Sequence, residues 1–500
     1  MITTHGSIEK PRTVVPIVPI RSYVAGRWIE SMEDSGQSLH DPNTGEVRQA
    51  KLVTPAQDVE RAIASSRQLY NEEKLETIGL QARVDLLLAV AEILEQRQDE
   101  VAVQDSVNTG VPLSTTKLIA SSLGNRIRGA VVEAEELGES VELGEPDRRV
   151  LLLRRAIGPT VIIAPWNAPT FTTVGKVAAA LLAGCPVVLK PSENAPSGCQ
   201  LFAEILISEL QKRGFPHGTF QLVQGGSTTG ALLTEDSRFE ALSFTGGIQA
   251  GRIVAKAAAA NLNVMQMELG SNNPAIVRAD ADVLATAESI VLGMTRLNGQ
   301  WCEAPGKILV HKSIHDELVD AMETELNALS LGDSLEDGTQ VGPMAFKRHR
   351  DDLLAAVERL KSLGGTLIST EQDPRLNGWF LKPGIIVGTS PDDASEELFG
   401  PLATVHAVID DDEALQYANA GGGGLDGFVF GRDTDEALHI ASRMRAGEVR
   451  VNGTFMSDLA DRSRQTFWGN SGIGGHGPQY GVRFFTGDRV IGVDHTDLDL

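Results

Sequence analysis

Only three cysteines, Cys185, Cys199 and Cys302, occur in 500 residues. That is too few for a disulfide framework, so a reducing cytoplasm is the expected compartment. Basic residues are scarce too: 44 Lys and Arg against 67 Asp and Glu leave a formal charge of −23. Nucleic acid and anionic membrane both need basic patches, and neither is expected as a partner. No apolar run reaches the roughly 20 residues that cross a bilayer, the longest being 177–189. The N-terminus lacks a basic region followed by an apolar core, so no signal peptide is expected. The ten histidines show no H-E-x-x-H and no Cys and His ligand spacing, so no metal site is expected. Residues 1–21 hold Pro11, Pro16 and Pro19 without helical period and read as an arm without its own core.

An apolar share of 42% and a charged share of 22% are those of an ordinary globular protein, and the length implies two or three domains. Residues 23–30 and 40–47 read as short strands with an Asn43-Thr44-Gly45 turn. Residues 56–70 and 80–98 follow as helical patterns, the second with Leu86, Leu87, Val90, Ala91 and Leu94 on one face. Residues 141–155 read as two strands around Gly144-Glu145-Pro146-Asp147. Apolar runs at 161–164, 187–189, 220–223 and 241–244 then alternate with helical segments at 170–182, 197–213 and 248–260. Continuous apolar strands separated by helices predict a doubly wound parallel α/β sheet covered on both faces.

A dinucleotide site needs helix N-terminal amides and glycines that admit a pyrophosphate. The loop after Ala164 lacks G-x-G-x-x-G, but Gly225-Gly226-Ser227-Thr228-Thr229-Gly230 and Gly246-Gly247-Ile248-Gln249-Ala250-Gly251 follow later strands. The strongest chemical candidate is Cys302, in Asn298-Gly299-Gln300-Trp301-Cys302-Glu303-Ala304-Pro305. A lone cysteine is more often a small buried hydrophobe, but glycine and proline bracket this one as loop punctuation. Thiolates attack carbonyl carbons to give covalent intermediates.

The pattern Gln300-x-Cys302-x-Ala304-Pro305 resembles the active-site signature of the aldehyde dehydrogenase superfamily. Four more stretches agree in order: Pro165-Trp166-Asn167, Lys190-Pro191-Ser192-Glu193, Met267-Glu268-Leu269-Gly270 and Glu397-Leu398-Phe399-Gly400-Pro401. The likeness runs from about Ser22 to about Val490. It implies an NAD(P)-dependent enzyme oxidising a small-molecule aldehyde to the acid, with Cys302 as nucleophile, Asn167 as oxyanion donor, Glu268 as the base that activates water, and Lys176 near the site. Flanked by Met265, Met267 and Leu269, Glu268 is expected near the interior with a raised pKa. Family members that pass the acyl group to coenzyme A generally lack this glutamate, so a free acid is the expected product.

The resemblance further implies cofactor contacts by Trp166, Lys190, Ser192, Glu193, Gly226, Gly230, Phe244, Thr245, Gly246, Gly247, Leu269, Glu397 and Phe399. A carboxylate at Glu193 beside the adenosine ribose favours NAD over NADP. It implies a cofactor domain at 22–138 and 157–268, a catalytic domain at 269–465, and a small β oligomerisation flap at 139–156 and 484–500 that makes a homodimer or homotetramer. Residues 486–494 would pair with the 141–155 hairpin. Departures are Gly247 in place of a serine, Ser271-Asn272 in place of Gly-Lys, a shortened 466–472 segment, and Gly475-His476 in place of Arg-Glu. Trp301 and Glu303 flank the cysteine, one bulky and one acidic, and a carboxylate-bearing aldehyde would meet no obvious arginine there, so neutral aromatic or aliphatic aldehydes, or cationic ones, are expected. A cofactor-independent thiol hydrolase or acyl transferase, and a catalytically silent scaffold, remain as alternatives.

Overall fold

The computed structural model describes residues 15–144, 148–372, 377–460 and 462–494. Its first sheet has the expected parallel centre. Strands Phe220–Leu222, Val187–Lys190, Thr160–Ile163, Ala241–Gly246 and Val264–Leu269 lie side by side in that spatial order. Each is apolar on both faces because helices cover both. Ile162, Val187 and Leu189 face one core with the Leu80–Gln96, Leu113–Leu137, Pro169–Leu182 and Ser197–Lys212 helices. Val161, Ile163 and Val188 face another with the Ala56–Asn71, Ser227–Thr234 and Ile248–Ala260 helices. Chain order reverses between Thr160–Ile163 and Ala241–Gly246, so a crevice opens beyond their carboxyl ends, where doubly wound sheets bind ligands.

The edges are antiparallel. A Tyr23–Val24 and Arg27–Trp28 hairpin closes one side, and Gly472–Ile473 pairs with Met267 and Glu268 on the other. A second, seven-stranded sheet runs Thr366–Ser369, Gly384–Val387, Leu402–Val408, Pro305–His311, Asn273–Val277, Asp426–Phe430 and Glu448–Val451, with only its first pair antiparallel. Cys302 lies just before Pro305–His311, so both sheets meet at the crevice.

The third sheet joins Val150–Ala156 to Thr486–Gly492, from Thr486 opposite Ala156 to Gly492 opposite Val150, and to Ser140–Glu142. The expected partner strand is therefore in place, while residues 145–147 of the expected turn lie outside the described residues. Of the expected arm, 1–14 lies outside them as well. Residues 15–21 do not stand free: Val15 and Ile20 are buried, and Gln104 Nε2 donates to the Pro16 carbonyl at 3.0 Å.

Two helical expectations change. The single helix expected over 80–98 ends at Gln96, where Arg97 leaves helical geometry (φ −109°), and a new helix runs Gln98–Thr109. The helix Leu113–Leu137 is absent from the sequence-based expectation because Gly124 and Gly129 interrupt its pattern. Its buried Leu123, Ile127, Val131 and Ala134 nevertheless recur at helical spacing, and Gly124 is where the Glu95 side chain crosses, 2.5 Å from where a Cβ would sit.

Phe485, fully buried just before the Thr486–Gly492 strand, anchors that strand to the first core. Phe485→Ala is expected to cost about 3–5 kcal/mol, read as a lower urea midpoint; an unchanged midpoint would contradict this anchoring.

Candidate active site

The cysteine loop is backbone-strained and side-chain-held. Leu297 (φ 50°), Asn298 (φ 58°) and Gly299 (φ 72°) are successive left-handed residues, costly for a leucine above all. Buried amides hold them there. Asn298 Nδ2 donates to the carbonyls of Gly110 (2.8 Å) and Pro343 (2.9 Å), and its oxygen accepts from Gly342 N–H at 2.8 Å. Gln300 Nε2 donates to the Thr109 carbonyl at 3.1 Å, and Oε1 accepts from Ala345 N–H at 2.9 Å. Asn273 Nδ2 donates to the carbonyls of Cys302 (2.7 Å) and Ala304 (2.9 Å). Asn167, on the turn after Thr160–Ile163, donates Nδ2 to the Gln300 carbonyl at 2.9 Å. Of the three cysteines Cys302 alone is partly exposed; Cys185 and Cys199 are buried.

Cys302 Sγ donates to Glu268 Oε1 across 3.6 Å. Glu268 sits opposite Thr245 on the neighbouring parallel strand, and the Thr245 hydroxyl donates to its Oε2 at 3.2 Å. Lys176 Nζ, from the Pro169–Leu182 helix, is 2.8 Å from that hydroxyl and 3.6 Å from Oε2. His476 Nε2 stands 3.6 Å from Oε1. Glu268 is 7% exposed, so the expected interior position is right and the expected direction of its pKa is wrong. Burial alone would raise it, but His476, Lys176 and Thr245 outweigh burial and hold the carboxyl below its ordinary range. The thiol moves the other way. Burial, then the negative charges of Glu268, Glu303, Glu397 and Asp426, push Cys302 well above the usual thiol value.

The crevice opens into a cavity of about 2190 Å³, larger than a single small-molecule pocket and roomy enough for two ligands. Glu193, Lys190, Ser192, Gly226, Gly230, Phe244, Thr245, Gly246, Gly247, Leu269, Glu397, Phe399, Trp166, Asn167, Lys176, Glu268 and Cys302 all line it. These residues, dispersed along the sequence, share one space. Gly226 and Gly247 cap the N-termini of Ser227–Thr234 and Ile248–Ala260. A Cβ on Gly226 would stand 3.4 Å from Glu193 Oε1, whereas one on Gly247 would meet nothing. Lys190 Nζ is 3.7 Å from Glu193 Oε2. Glu397 accepts from Ser271 N–H at 3.2 Å and burial raises it to about 8. Trp166 packs edge-on against Phe346, His349 and Phe399. Two open helix N-termini and carboxylates at two separate stations fit a dinucleotide. Ser192 differs in part, since its hydroxyl already accepts from Asn194 N–H at 3.3 Å.

The sequence pattern of the Aldehyde dehydrogenase family matches residues 28–491. The chain belongs to that family. Among its relatives, Geranial dehydrogenase of Castellaniella defragrans is 33% identical over 447 residues, covering 87% of this chain and 91% of that one. Betaine aldehyde dehydrogenase of Rhizobium leguminosarum is 33% identical, covering 86% and 88%. A crystal structure of betaine aldehyde dehydrogenase from Staphylococcus aureus in complex with NAD+ superposes with a TM-score of 0.88 at 27% identity, over 96% of each chain. Aldehyde dehydrogenase membership makes the chain an aldehyde-oxidising enzyme of α/β fold.

Some groups at the site are not legible in the sequence. His476 was only a departure from the family pattern; it reaches Glu268 because Gly472–Ile473 pairs with Met267 and Glu268, then Gly475–His476 pairs with Gln465–Thr466. Thr245, expected against the cofactor, lines the cavity and in addition has its hydroxyl bonded to Lys176 and Glu268. Arginines also lie nearby, against the expectation of none beside the cysteine: Arg296 stands 5.9 Å from the Trp301 ring centroid, and Arg126 and Arg450, from distant segments, line the same cavity. Among the described residues no group of His, Cys, Asp and Glu could hold a metal, and no helix is long and apolar enough to cross a membrane.

Because the Glu268 charge helps hold the Cys302 thiol protonated, Glu268→Gln is expected to speed alkylation of Cys302 by iodoacetamide at neutral pH. Wild-type labelling should rise steadily as pH is raised, with Cys185 and Cys199 unlabelled in both. Peptide mass spectrometry reads the rates, and slower labelling of the Gln variant would show Glu268 acting instead as the thiol's base.

Proposed function

We propose that this chain oxidises an aldehyde to the free carboxylic acid with NAD, through a thioester on Cys302. The 3.6 Å approach of Cys302 Sγ to Glu268 Oε1 inside the cavity carries this reading. The Cys302 thiol releases its proton to solvent in the cavity, its sulfur bonds the aldehyde carbon, and the C=O π pair moves onto oxygen to give an oxyanion. Asn167 has one amide N–H engaged with Gln300; its second N–H and the Cys302 backbone N–H are the donors for that oxyanion. Bound dinucleotide supplies the acceptor for the hydride that departs with two electrons. The thioester left on Cys302 is opened by water, whose proton Glu268 takes while the C–S bond breaks and the thiolate returns. Glu268, held below its ordinary range, is ionised at neutral pH and can accept the proton, but it is a weaker base than a raised carboxyl would be. Lys176 and Thr245 orient it.

The NAD+-bound structural neighbour and the placement of Glu193 beside Gly226 support NAD as cofactor. Lys190, Glu193, Gly226, Gly230, Phe244, Gly246, Gly247, Leu269, Glu397 and Phe399 would hold it. We divide the chain into a cofactor unit (22–138 and 157–268), a catalytic unit (269–465) and an oligomerisation flap (139–156 and 484–500), a reading supported by the two large sheets and the three-stranded one. We assign a homodimer or homotetramer on the flap, where Val141, Leu143, Val490, Ile491 and Val493 are exposed, and a cytoplasmic location on three unpaired thiols.

Two measurements test this reading. Glu268→Gln should reduce NAD once per site and stall with an acyl adduct on Cys302, its turnover down about 10²–10⁴-fold, while Cys302→Ala forms no NADH. An unchanged steady-state rate, or a burst without adduct, would mean these roles are wrong. Wild-type enzyme should show higher kcat/KM with NAD than with NADP, the gap narrowing in Glu193→Gln; equal use of NADP would overturn the role of Glu193.

A further inference from the structure

Arg126 lies on the Leu113–Leu137 helix and reaches across to the Pro169–Leu182 helix. Its guanidinium carbon stands 3.8 Å over the Phe171 ring. A Cβ on Gly175 would come within 3.3 Å of Arg126 Nε, so the absent side chain there makes the room the guanidinium occupies. Phe171 and Gly175 share one helix face, and Lys176, which reaches Glu268, is the next residue. Arg126, Phe171, Gly175, Lys176, Glu268 and Cys302 line one cavity.

Arg126 lacks what a cation in such a place usually has. No carboxylate of the described residues comes within ion-pair distance, and Arg126 Nε is enclosed without a hydrogen-bond partner. The other cavity arginines are matched, Arg450 to Glu448 and Arg462 to Glu136. Buried cations are ordinarily paired, and a guanidinium presents donors in a fork that suits a carboxylate. Acids do share the space: Glu268 and Glu303 beside the cysteine, and Asp458 at the surface, act on Arg126 through the cavity. None of them takes its donors. Glu303 is raised to about 7 by burial, and Glu268 is engaged by His476, Lys176 and Thr245.

Taking the aldehyde-oxidising reading as given, we propose that the preferred substrate carries a carboxylate at the end remote from the aldehyde, and that Arg126 is its anchor. This reverses the neutral or cationic preference expected from the residues beside Cys302. A cationic aldehyde of the kind named for the betaine aldehyde relatives would meet Arg126 as a like charge. Phe171 beneath the guanidinium offers the apolar wall for the carbon chain between the two ends.

The test pairs ω-carboxy aldehydes, succinic semialdehyde first, with their methyl esters, and includes betaine aldehyde. Wild-type kcat/KM for the carboxylate is expected to exceed that for the ester about 10- to 100-fold, mostly through KM. In Arg126→Met the preference should disappear while the ester changes less than about threefold, and Arg126→Lys should restore part of it. Equal use of acid and ester by the wild type, or an equal loss on both in Arg126→Met, overturns the proposal. A second readout stands apart from turnover: 4-hydroxybutyrate, which has no aldehyde, should bind wild type more tightly than 4-hydroxybutyramide by calorimetry, and Arg126→Met should erase the difference. Absence of NADH with every aldehyde would sink the oxidising reading alone, and calorimetry would then still decide whether Arg126 selects a carboxylate. No difference between the two hydroxy compounds counts against it.

Discussion

The buried amides of Asn298, Gln300 and Asn273 hold a left-handed backbone in place under Cys302, and the geometry of the site depends on them. A leucine and an asparagine with positive φ do not persist unless their surroundings over-determine them. Here each amide spans two or more segments: Asn298 joins the loop to Gly110, Gly342 and Pro343, and Gln300 joins it to Thr109 and Ala345. Gly299 extends the constraint, because a Cβ there would lie 2.1 Å from the Gly400 carbonyl carbon. The cysteine loop and the Glu397–Phe399 loop therefore sit in backbone contact, so the proposed nucleophile and the proposed cofactor contacts Glu397 and Phe399 are positioned by one packing event.

The electrostatics of the site set two neighbouring acids apart. Glu268 has a histidine, a lysine and a hydroxyl within reach and stays ionised, whereas burial, with the charges of Glu268 and Glu448, outweighs His476 and Arg450 at Glu303 and raises it to about 7. Environments that push titratable groups apart are how one cavity supplies both proton acceptors and neutral groups. The Cys302 thiol is raised by burial first and by the Glu268 charge next.

The two large sheets contribute differently. The first provides the topological switch point, with Asn167 at the end of one strand and Thr245 and Glu268 at the ends of the next two. The second provides the strand before which the cysteine loop is strung. Neither alone brings Cys302 to Glu268, and the antiparallel Gly472–Ile473 edge adds His476. That edge works only with glycine: Gly472 has φ 138°, and a Cβ would fall 1.7 Å from the Met267 carbonyl oxygen.

By itself the sequence determined the local elements and the chemistry of the residues. Unbroken apolar strands between helices specify a sheet covered on both faces, and the stretches around Asn167, Glu193, Glu268, Cys302 and Glu397 were legible because their spacing survives in one dimension. It could not determine protonation, since the pKa of Glu268 is set by Lys176, Thr245 and His476, which lie 23 or more residues away along the chain; nearest neighbours in sequence suggested only a buried, raised carboxyl. Nor could it reveal Arg126, whose helix was obscured by two glycines and whose place over Phe171 exists only once two helices pack. Charge interactions fall off with distance in space and are indifferent to distance along the chain, so the residues that tune a site are decided by tertiary structure even when the residues that form it can be read from the sequence.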